Sequence, residues 1–197
     1  MKRIIDIILS AIVLILLWPL LLAIGIAIKL DSNGPIFYLQ ERIGREEHPF
    51  RIWKFRTMIA GADRIGPLIT RGGDRRVTRV GRWLRRSKVD ELPQLVNVLK
   101  GDMSLVGPRP EVRRYVELFH EDYTKILSVR PGLTDLASLA FADEETRLAE
   151  TATCEDEYLS HILPEKIRLA KLYIDNSSLS LDVQLMLRTL LRLARGR

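Results

Sequence analysis

The sequence is poor in residues that build disulfides and metal centres. It contains one cysteine and three histidines among 197 residues. A lone cysteine, Cys154, cannot form an internal disulfide, so the globular part is compatible with a reducing compartment. Acidic neighbours disfavour its thiolate, and we interpret Cys154 as a small buried or neutral residue rather than a nucleophile. Three scattered histidines do not supply the ligand spacing of a structural zinc site.

Several motifs of nucleotide and metal chemistry are missing as well. The sequence has no G-x-x-x-x-G-K-[ST], no G-x-G-x-x-G and no H-E-x-x-H. Their absence argues against a P-loop, a dinucleotide-binding fingerprint and a zinc protease helix. Internal repeats and low-complexity stretches are also lacking. We expect an α+β, mostly helical chain, with a membrane segment over residues 1–30 and one further domain over residues 31–197.

The charge is unevenly distributed. The formal net charge is +6 and the pI is about 9.7. Residues 71–88 hold eight basic residues and one acid, whereas residues 141–158 hold seven acids and one arginine. This balance favours an anionic partner, such as nucleic acid, an acidic membrane leaflet or a phosphorylated substrate. A basic run by itself is most often a solvated helix face.

Residues 7–28 form an uncharged, apolar run of 22 residues. That length spans a hydrocarbon core of about 30 Å. Pro19 lies near its middle, where a proline removes a hydrogen bond and bends a helix. Basic residues flank both ends, which favours the cytoplasm for both. The residues alone leave open a single span with a kink at Pro19 and a re-entrant helix-break-helix; a cleaved signal peptide is a third reading.

Two further elements are predicted from periodicity. Residues 36–42 and 50–56 have strand character around a polar turn, and they predict a small β-hairpin. From Leu179 onward, apolar residues recur at helical spacing with arginines between them. This pattern predicts an amphipathic helix, which either lies at the membrane interface or packs on the core with a basic exposed face.

The strongest candidate for chemistry is the pair Asp90 and Glu91. It follows a cationic cluster that includes Arg85, and a helix is predicted from residue 91 to Lys100, with Gly101 ending it. Asp90 could simply cap that helix. Adjacent carboxylates beside a helix start can also hold Mg²⁺ with substrate phosphates, and a carboxylate can act as a nucleophile in phosphoryl transfer.

Two other segments offer cations for a phosphate. Arg109 stands between Pro108 and Pro110 on a stiff loop, suited to bidentate recognition of a phosphate or carboxylate. Its alternative is a structural turn. Lys54 and Arg56 end the predicted hairpin on one face. Their alternative is an exposed strand edge.

These segments resemble the bacterial sugar transferase family, the small monotopic phosphoglycosyl transferases. The likeness rests on residues 54–58 (KFRTM), 90–95 (DELPQL) and 101–110 (GDMSLVGPRP). Residues 130–134 (RPGLT) and the stretch 176–182 also look like that family, so the likeness covers nearly the whole chain. Two positions depart from its pattern: Trp18 precedes Pro19 where a serine is common, and Asp135 follows residues 130–134 where a glycine is common.

The resemblance implies an enzyme of the bacterial inner membrane, with a re-entrant N-terminal helix and a cytoplasm-facing site. It implies transfer of a sugar-1-phosphate from a UDP-sugar to undecaprenyl or another polyprenyl phosphate, in two steps. Asp90 is then the nucleophile that expels UMP, and Glu91 binds Mg²⁺ and assists the second step. Arg85 and Arg109 bind phosphate or nucleotide groups, with Lys54, Arg56, Pro108 and Pro110 also in the substrate site.

The expected partners are the UDP-sugar, polyprenyl phosphate and membrane lipids, with no nucleic acid; the pattern leaves room for a homodimer. A membrane-tethered module that binds anionic lipid or nucleic acid is the rival hypothesis. It predicts steeply salt-dependent binding and no UMP release, and it gives no role to the Asp90 and Glu91 pair. A membrane-anchored scaffold without activity is a third hypothesis, against which the intact pair argues.

Overall fold

The computed structural model describes residues 1–66, 73–141, 144, 148 and 154–195. Part of the basic run and most of the acidic run, including Arg71 and Arg147, lie outside these ranges. The chain is mostly helical with two small sheets, which confirms the predicted α+β class.

A long apolar helix, α1 (Lys2–Asp31), opens the chain and continues through Pro19. It is long and apolar enough to cross a membrane, and it is the one such helix in the described ranges. Its buried residues lie near its two ends, at Asp6 and Ser10 and again at Ile24, Gly25 and Ile28. The middle of the helix therefore makes little contact with the rest of the protein.

The predicted hairpin is present as strands β1 (Phe37–Ile43) and β2 (Pro49–Phe55), which pair antiparallel. Tyr38 pairs with Lys54 and Arg42 pairs with Phe50. Because alternate residues of a strand share a face, Tyr38, Arg42 and Lys54 lie on the same side of the hairpin. This face turns toward the candidate site.

Two short helices form a corner after the hairpin. Helix α2 (Arg79–Ser87) begins at Thr78, whose side chain accepts a hydrogen bond from the Gly81 amide. It ends at Lys88, which adopts the left-handed conformation with φ 57°. A 3₁₀ turn (Val89–Glu91) then leads into helix α3 (Gln94–Lys100), which Gly101 ends at φ 99°. The predicted stop at Gly101 is confirmed.

The remaining elements enclose the site from the other side. Strand β3 (Ser104–Val106) pairs in parallel with β4 (Gly132–Thr134), a strand that the sequence pattern did not predict. Residues 111–122, whose pattern predicts one amphipathic helix, instead contribute to two helices, α4 (Arg113–Leu118) and α5 (His120–Ile126). The further helices are α6 (Leu136–Ala140), α7 (Cys154–Glu157), α8 (Leu163–Asp175) and α9 (Leu179–Ala194), with a π-helical turn at Tyr158–Ile162.

The apolar core is divided among several clusters. The largest joins α4, α5, the π-helical turn and α8 through residues such as Tyr115, Tyr123 and Leu163. A second cluster packs Ile24 and Ile28 of α1 against Phe55 and Leu84. The candidate site lies where the hairpin, the corner between α2 and α3, and the end of β3 meet.

Candidate active site

Asp90 lies at the corner between α2 and α3 and is buried. Its side chain makes no capping bond, because the 3₁₀ turn and Pro93 separate it from α3. Its Oδ1 atom finds no hydrogen-bond partner among the described residues. A buried polar atom without a partner is costly and calls for an explanation. Asp90 is therefore not the cap of α3, which was the purely structural role that the sequence offered for it.

The environment of Asp90 raises its pKa to about 6. Burial is the main cause, and the neighbouring Glu91 carboxylate adds to it. The charges of Lys54, Lys88 and Arg85 act in the opposite direction. A carboxylate with a pKa near 6 is ionised at neutral pH, yet it is poorly solvated and has an unengaged oxygen. These are properties of a nucleophile.

Glu91 is held on both oxygens by cations. Lys54 Nζ donates to Oε1 at 3.0 Å, and Arg109 donates from Nη1 to Oε2 at 3.0 Å and from Nη2 to Oε1. Burial alone would raise the pKa of Glu91, but Arg109 and Lys54 outweigh it and hold that pKa well below its usual range. Adjacent residues thus have opposite environments: both oxygens of Glu91 are bonded, whereas Asp90 Oδ1 has no partner among the described residues.

The two cations reach Glu91 from separate elements. Lys54 comes from β2, and burial lowers its pKa against the favourable charge of Glu91. Arg109 comes from the loop after β3, and Glu91 raises its pKa further above the usual value. Both side chains lie in the site with Asp90, where cationic groups can contact an incoming diphosphate.

The loop that carries Arg109 is fixed by backbone contacts. The Gly107 amide donates to the Thr134 carbonyl at 3.1 Å, and the Gly132 amide donates to the Pro108 carbonyl at 2.9 Å. A Cβ added at Gly132 would meet the Gly107 amide at 2.1 Å, so only glycine permits this approach. Pro108 and Pro110 are buried. They stiffen the loop, whereas the Arg109 side chain is the group that reaches the site.

Asp135 is a residue of the site that sequence reasoning missed. Its Oδ2 accepts a hydrogen bond from the Arg109 amide at 3.2 Å, and its Oδ1 caps α6 by accepting from the Ser138 amide at 2.7 Å. The sequence flagged position 135 only as a departure from a family pattern. The helix-capping pattern of an Asp before an apolar run was the signal that could have identified it.

Arg85 and Arg56 occupy different surroundings. Arg85 Nε donates to Thr57 Oγ1 at 2.9 Å, and its charge acts on Asp90. Arg56 is buried and donates to the carbonyls of Ser32 and Asn33 at 2.7 and 2.6 Å. The structure thus brings Lys54, Arg85 and Arg109 to the carboxylate pair, while Arg56 fastens the segment after α1.

Two backbone amides of the corner are engaged within it. The amides of Glu91 and Leu92 donate to the carbonyls of Lys88 and Val89 within the 3₁₀ turn. The cationic groups at the site are side chains. Lys88 is the only non-glycine residue of this corner with positive φ, a strained conformation that clusters at functional sites.

Asp90 and Glu91 are the adjacent carboxylates at the centre of the site. No group of three or more His, Cys, Asp or Glu residues is arranged to hold a metal in the described ranges. Mg²⁺ is commonly bound by one or two carboxylates together with substrate phosphates. An unengaged Asp90 oxygen next to the Glu91 carboxylate fits that kind of site, and it does not fit an all-protein metal cage.

The carboxylate pair opens on a cleft of about 1310 Å³. Its walls come from the hairpin, α2, the Arg109 loop, α4 and α8, and residues of α1 such as Leu9 and Val13 reach its edge. This volume accommodates a nucleotide-sized ligand. The arrangement places a buried carboxylate and cationic side chains on one cleft, next to an apolar helix.

Comparisons with known proteins agree with this chemistry. A family model described as bacterial sugar transferase matches residues 1–196. The chain is 40% identical over 198 residues to the UDP-N-acetylgalactosamine-undecaprenyl-phosphate N-acetylgalactosaminephosphotransferase of Aeromonas hydrophila, covering 99% of this chain and 44% of that protein.

Two further relatives carry a different sugar in their names. The chain is 40% identical to the UDP-glucose:undecaprenyl-phosphate glucose-1-phosphate transferase of Caulobacter vibrioides, over 95% of this chain and 67% of that protein. It is 37% identical to the protein of the same name from Klebsiella pneumoniae, over 97% and 39%. The chain thus spans less than half the length of two of these three relatives, and their names differ in the sugar.

Proposed function

The chain belongs to the bacterial sugar transferase family, and on that premise we propose that it transfers a sugar-1-phosphate from a UDP-sugar to a polyprenyl phosphate such as undecaprenyl phosphate. The products are a polyprenyl-diphosphate-sugar and UMP. The observation that carries the proposal is the contrast within one pair: Asp90 is buried with an unengaged oxygen, while Glu91 beside it is held by Lys54 and Arg109. The reaction would begin the assembly of a glycoconjugate.

The first step uses Asp90 as a nucleophile. Its carboxylate oxygen attacks the phosphorus that bears the sugar, the bond from that phosphorus to the bridging oxygen breaks, and UMP leaves with the electron pair. In the second step an oxygen of the polyprenyl phosphate attacks the same phosphorus and displaces Asp90. Two displacements restore the enzyme, and together they divide one difficult transfer into two easier steps.

Fixed cations stabilise the charge that develops in both steps. Glu91 positions Lys54 and Arg109 in the site before any substrate binds, and an incoming diphosphate would share these two cations with it. Arg85 adds a third charge at the Asp90 side. Arg56 belongs in this account as a residue that fastens the loop after α1 and so shapes the site's edge.

Mg²⁺ is the proposed cofactor, and Glu91 would hold it together with the diphosphate of the donor. When bound, it neutralises negative charge on the diphosphate. For Glu91 to ligate it, the contacts with Arg109 and Lys54 must be shared with the substrate phosphates, which are the natural alternative partners of both cations.

The proposed topology is re-entrant, with the catalytic domain on the cytoplasmic face of the inner membrane. Both ends of α1 contact the same domain: Lys2 Nζ donates to Asp182 Oδ2 at 2.6 Å, and Asp31 Oδ2 accepts from the Val80 amide at 2.9 Å. A helix that crossed the bilayer once would separate its ends by about 30 Å of hydrocarbon. Entry and return, with the bend at Pro19, keep both ends on one side.

Apolar surface supports the same placement. The middle of α1 exposes Ile15, Leu16 and Trp18, and α9 exposes Leu187 and Leu190. Helix faces that expose several large apolar side chains are typical of membrane contact. The interfacial interpretation of α9 remains part of the proposal, as does a homodimer.

Transfer is tested with purified protein, polyprenyl phosphate, Mg²⁺ and a panel of UDP-sugars that includes UDP-glucose and UDP-N-acetylgalactosamine. We expect UMP release that requires the lipid for full turnover and stops when EDTA removes the metal. A lipid- and nucleic-acid-binding module would bind vesicles or DNA with steep salt dependence and release no UMP from any donor. That outcome would contradict the proposed function.

A further inference from the structure

The cleft continues beyond Arg109 into a second group of buried polar side chains. Arg42 of β1 donates from Nη1 to Glu111 Oε1 at 2.7 Å, and the Tyr158 hydroxyl donates to Glu111 Oε2 at 2.9 Å. Arg42 Nη2 also donates to Gln40 Oε1 at 2.8 Å. We call Gln40, Arg42, Glu111, Tyr115 and Tyr158 the ring arm; all five line the same cleft as Glu91 and Arg109.

The ring arm has hydrogen-bonding capacity that the protein does not use. The hydroxyl of Tyr115 and the Nε of Arg42 are buried and have no partner within the part of the chain that the structure describes. Tyr115 as a whole is 3% exposed. Leaving such buried groups unpaired destabilises the folded protein. A protein retains that cost most readily where a ligand supplies the missing partner.

The backbone beside the arm is also unusual. Tyr158 is the first residue of the π-helical turn that runs to Ile162, between α7 and α8. Turns of this kind are rare and occur frequently at functional sites, because the extra residue redirects one side chain. Here the residue at the start of the turn is the one that meets Glu111.

Charge separates the arm from the diphosphate end of the cleft. At that end three cations, Lys54, Arg85 and Arg109, stand beside the two carboxylates of Asp90 and Glu91, whereas in the arm Arg42 is matched by Glu111. A second matched pair borders it, with Lys166 bonded to Glu144 at 2.5 Å and lying 4.9 Å over the Tyr158 ring. A balanced arm with many hydrogen-bonding groups suits a neutral polyhydroxyl ligand rather than another phosphate.

The protonation states agree with this interpretation. Burial would raise the pKa of Glu111, but the Arg42 guanidinium and the Val112 amide outweigh it and keep that pKa below its usual value. Glu111 is therefore an ionised acceptor for ligand hydroxyls. Burial raises the pKa of Tyr115 to about 12, so its hydroxyl keeps its proton and can donate.

We propose that the ring arm binds a hydroxyl-bearing ring of the donor, with the Tyr115 hydroxyl, Arg42 and Glu111 as its hydrogen-bonding groups. This inference rests on the proposed function, because it takes the diphosphate to lie between Lys54 and Arg109. The ring has two sources in a UDP-sugar, the sugar itself and the ribose of uridine. Both present neighbouring hydroxyls, and the test below separates them.

The decisive variant is Tyr115→Phe, measured as the KM for the UDP-sugar and the melting temperature of the full chain. Removing an unpaired buried hydroxyl should leave the melting temperature unchanged or higher, while KM rises about five- to tenfold because a bond to the ligand is lost. Glu111→Gln should raise KM as well. Tyr173→Phe is the matched control, since Tyr173 donates to Asp182 at 2.7 Å outside the cleft; it should lower the melting temperature and leave KM unchanged.

Inhibition by UMP assigns the ring. If Tyr115→Phe weakens the UDP-sugar but leaves the inhibition constant of UMP unchanged, the arm binds the sugar; equal weakening of both assigns the ribose. An unchanged KM in Tyr115→Phe, with normal UMP release, would overturn the inference and leave the proposed function intact. Failure of the wild-type chain to react with any donor is a separate result, which would overturn the proposed function instead.

Discussion

At the scale of single residues, the site depends on two adjacent carboxylates whose hydrogen-bonding environments are opposite. Glu91 has three hydrogen bonds from two cations, and Asp90 Oδ1 has none within the described part of the protein. Sequence could place this pair and the cations near it, because the residue types and their spacing suffice for that. It could not decide which carboxylate is paired, since that depends on the direction from which β2 and the Arg109 loop approach.

The unpaired state of Asp90 predicts a stability gain when its charge is removed. Its pKa is about 6 in the fold and about 3.9 in an unfolded chain, so ionisation disfavours the folded state as pH rises from about 4 to beyond 6. At pH 8, Asp90→Asn should therefore unfold with a free energy higher by on the order of 1–3 kcal/mol. At pH 4.5 that gain should shrink to less than half. Urea unfolding in detergent micelles measures both values.

Glu91→Gln is the matched control for that measurement. Removing its charge leaves Arg109 and Lys54 buried without their counter-ion, so this variant should lose stability at pH 8. A loss of stability in Asp90→Asn, or a gain that does not change with pH, would contradict the environment assigned to Asp90.

At the scale of elements, glycines set how closely the pieces of the site approach. The hairpin was predictable from the strand character of residues 36–42 and 50–56 around a polar turn. The parallel pair β3 and β4 was not, because three-residue strands carry no periodicity, and their pairing depends on contact between Gly107 and Gly132. The single helix expected after Glu111 is interrupted at Phe119, between α4 and α5.

Gly81 provides a test of this close packing. A Cβ there would lie 2.0 Å from the Thr57 carbonyl oxygen, so Gly81→Ala must push α2 away and carry Arg85 with it. We expect a loss of about 1–3 kcal/mol in unfolding free energy and at least tenfold in transfer rate. Gly25→Ala in α1 is the control, because its new methyl group meets Ile36 at an ordinary 3.5 Å. Similar behaviour of the two variants would contradict the packing role of Gly81.

At the scale of the whole molecule, hydrogen bonds join α1 to the rest of the protein. Lys2, Tyr173 and Asp182 join the beginning of α1 to α8 and α9, and Lys2 also donates to the Val106 carbonyl of β3 at 2.9 Å. Sequence predicted the apolar run and its basic flanks but left single-span and re-entrant topologies open. These contacts join residues more than 100 positions apart, so a local sequence pattern cannot predict them.

This arrangement predicts that both ends of α1 face the cytoplasm. In a Cys154→Ser background, cysteines at Ile4 and at Asn33 should react with a membrane-impermeant maleimide only from the cytoplasmic side. Ile4 is 62% exposed in the protein, so labelling does not require unfolding. A cysteine at Trp18, in the middle of the run, should be protected by lipid from both sides. Labelling of the two ends from opposite sides would establish a single span.

The central claim is that Asp90 carries the sugar phosphate, and intact-protein mass spectrometry tests it most directly. Purified protein is mixed with Mg²⁺ and each UDP-sugar in turn, without a lipid acceptor. We predict a mass gain of one sugar phosphate with the correct donor, its disappearance when polyprenyl phosphate is added, and no gain in Asp90→Asn. Release of UMP by Asp90→Asn at the wild-type rate, or an adduct on any other residue, would contradict the account.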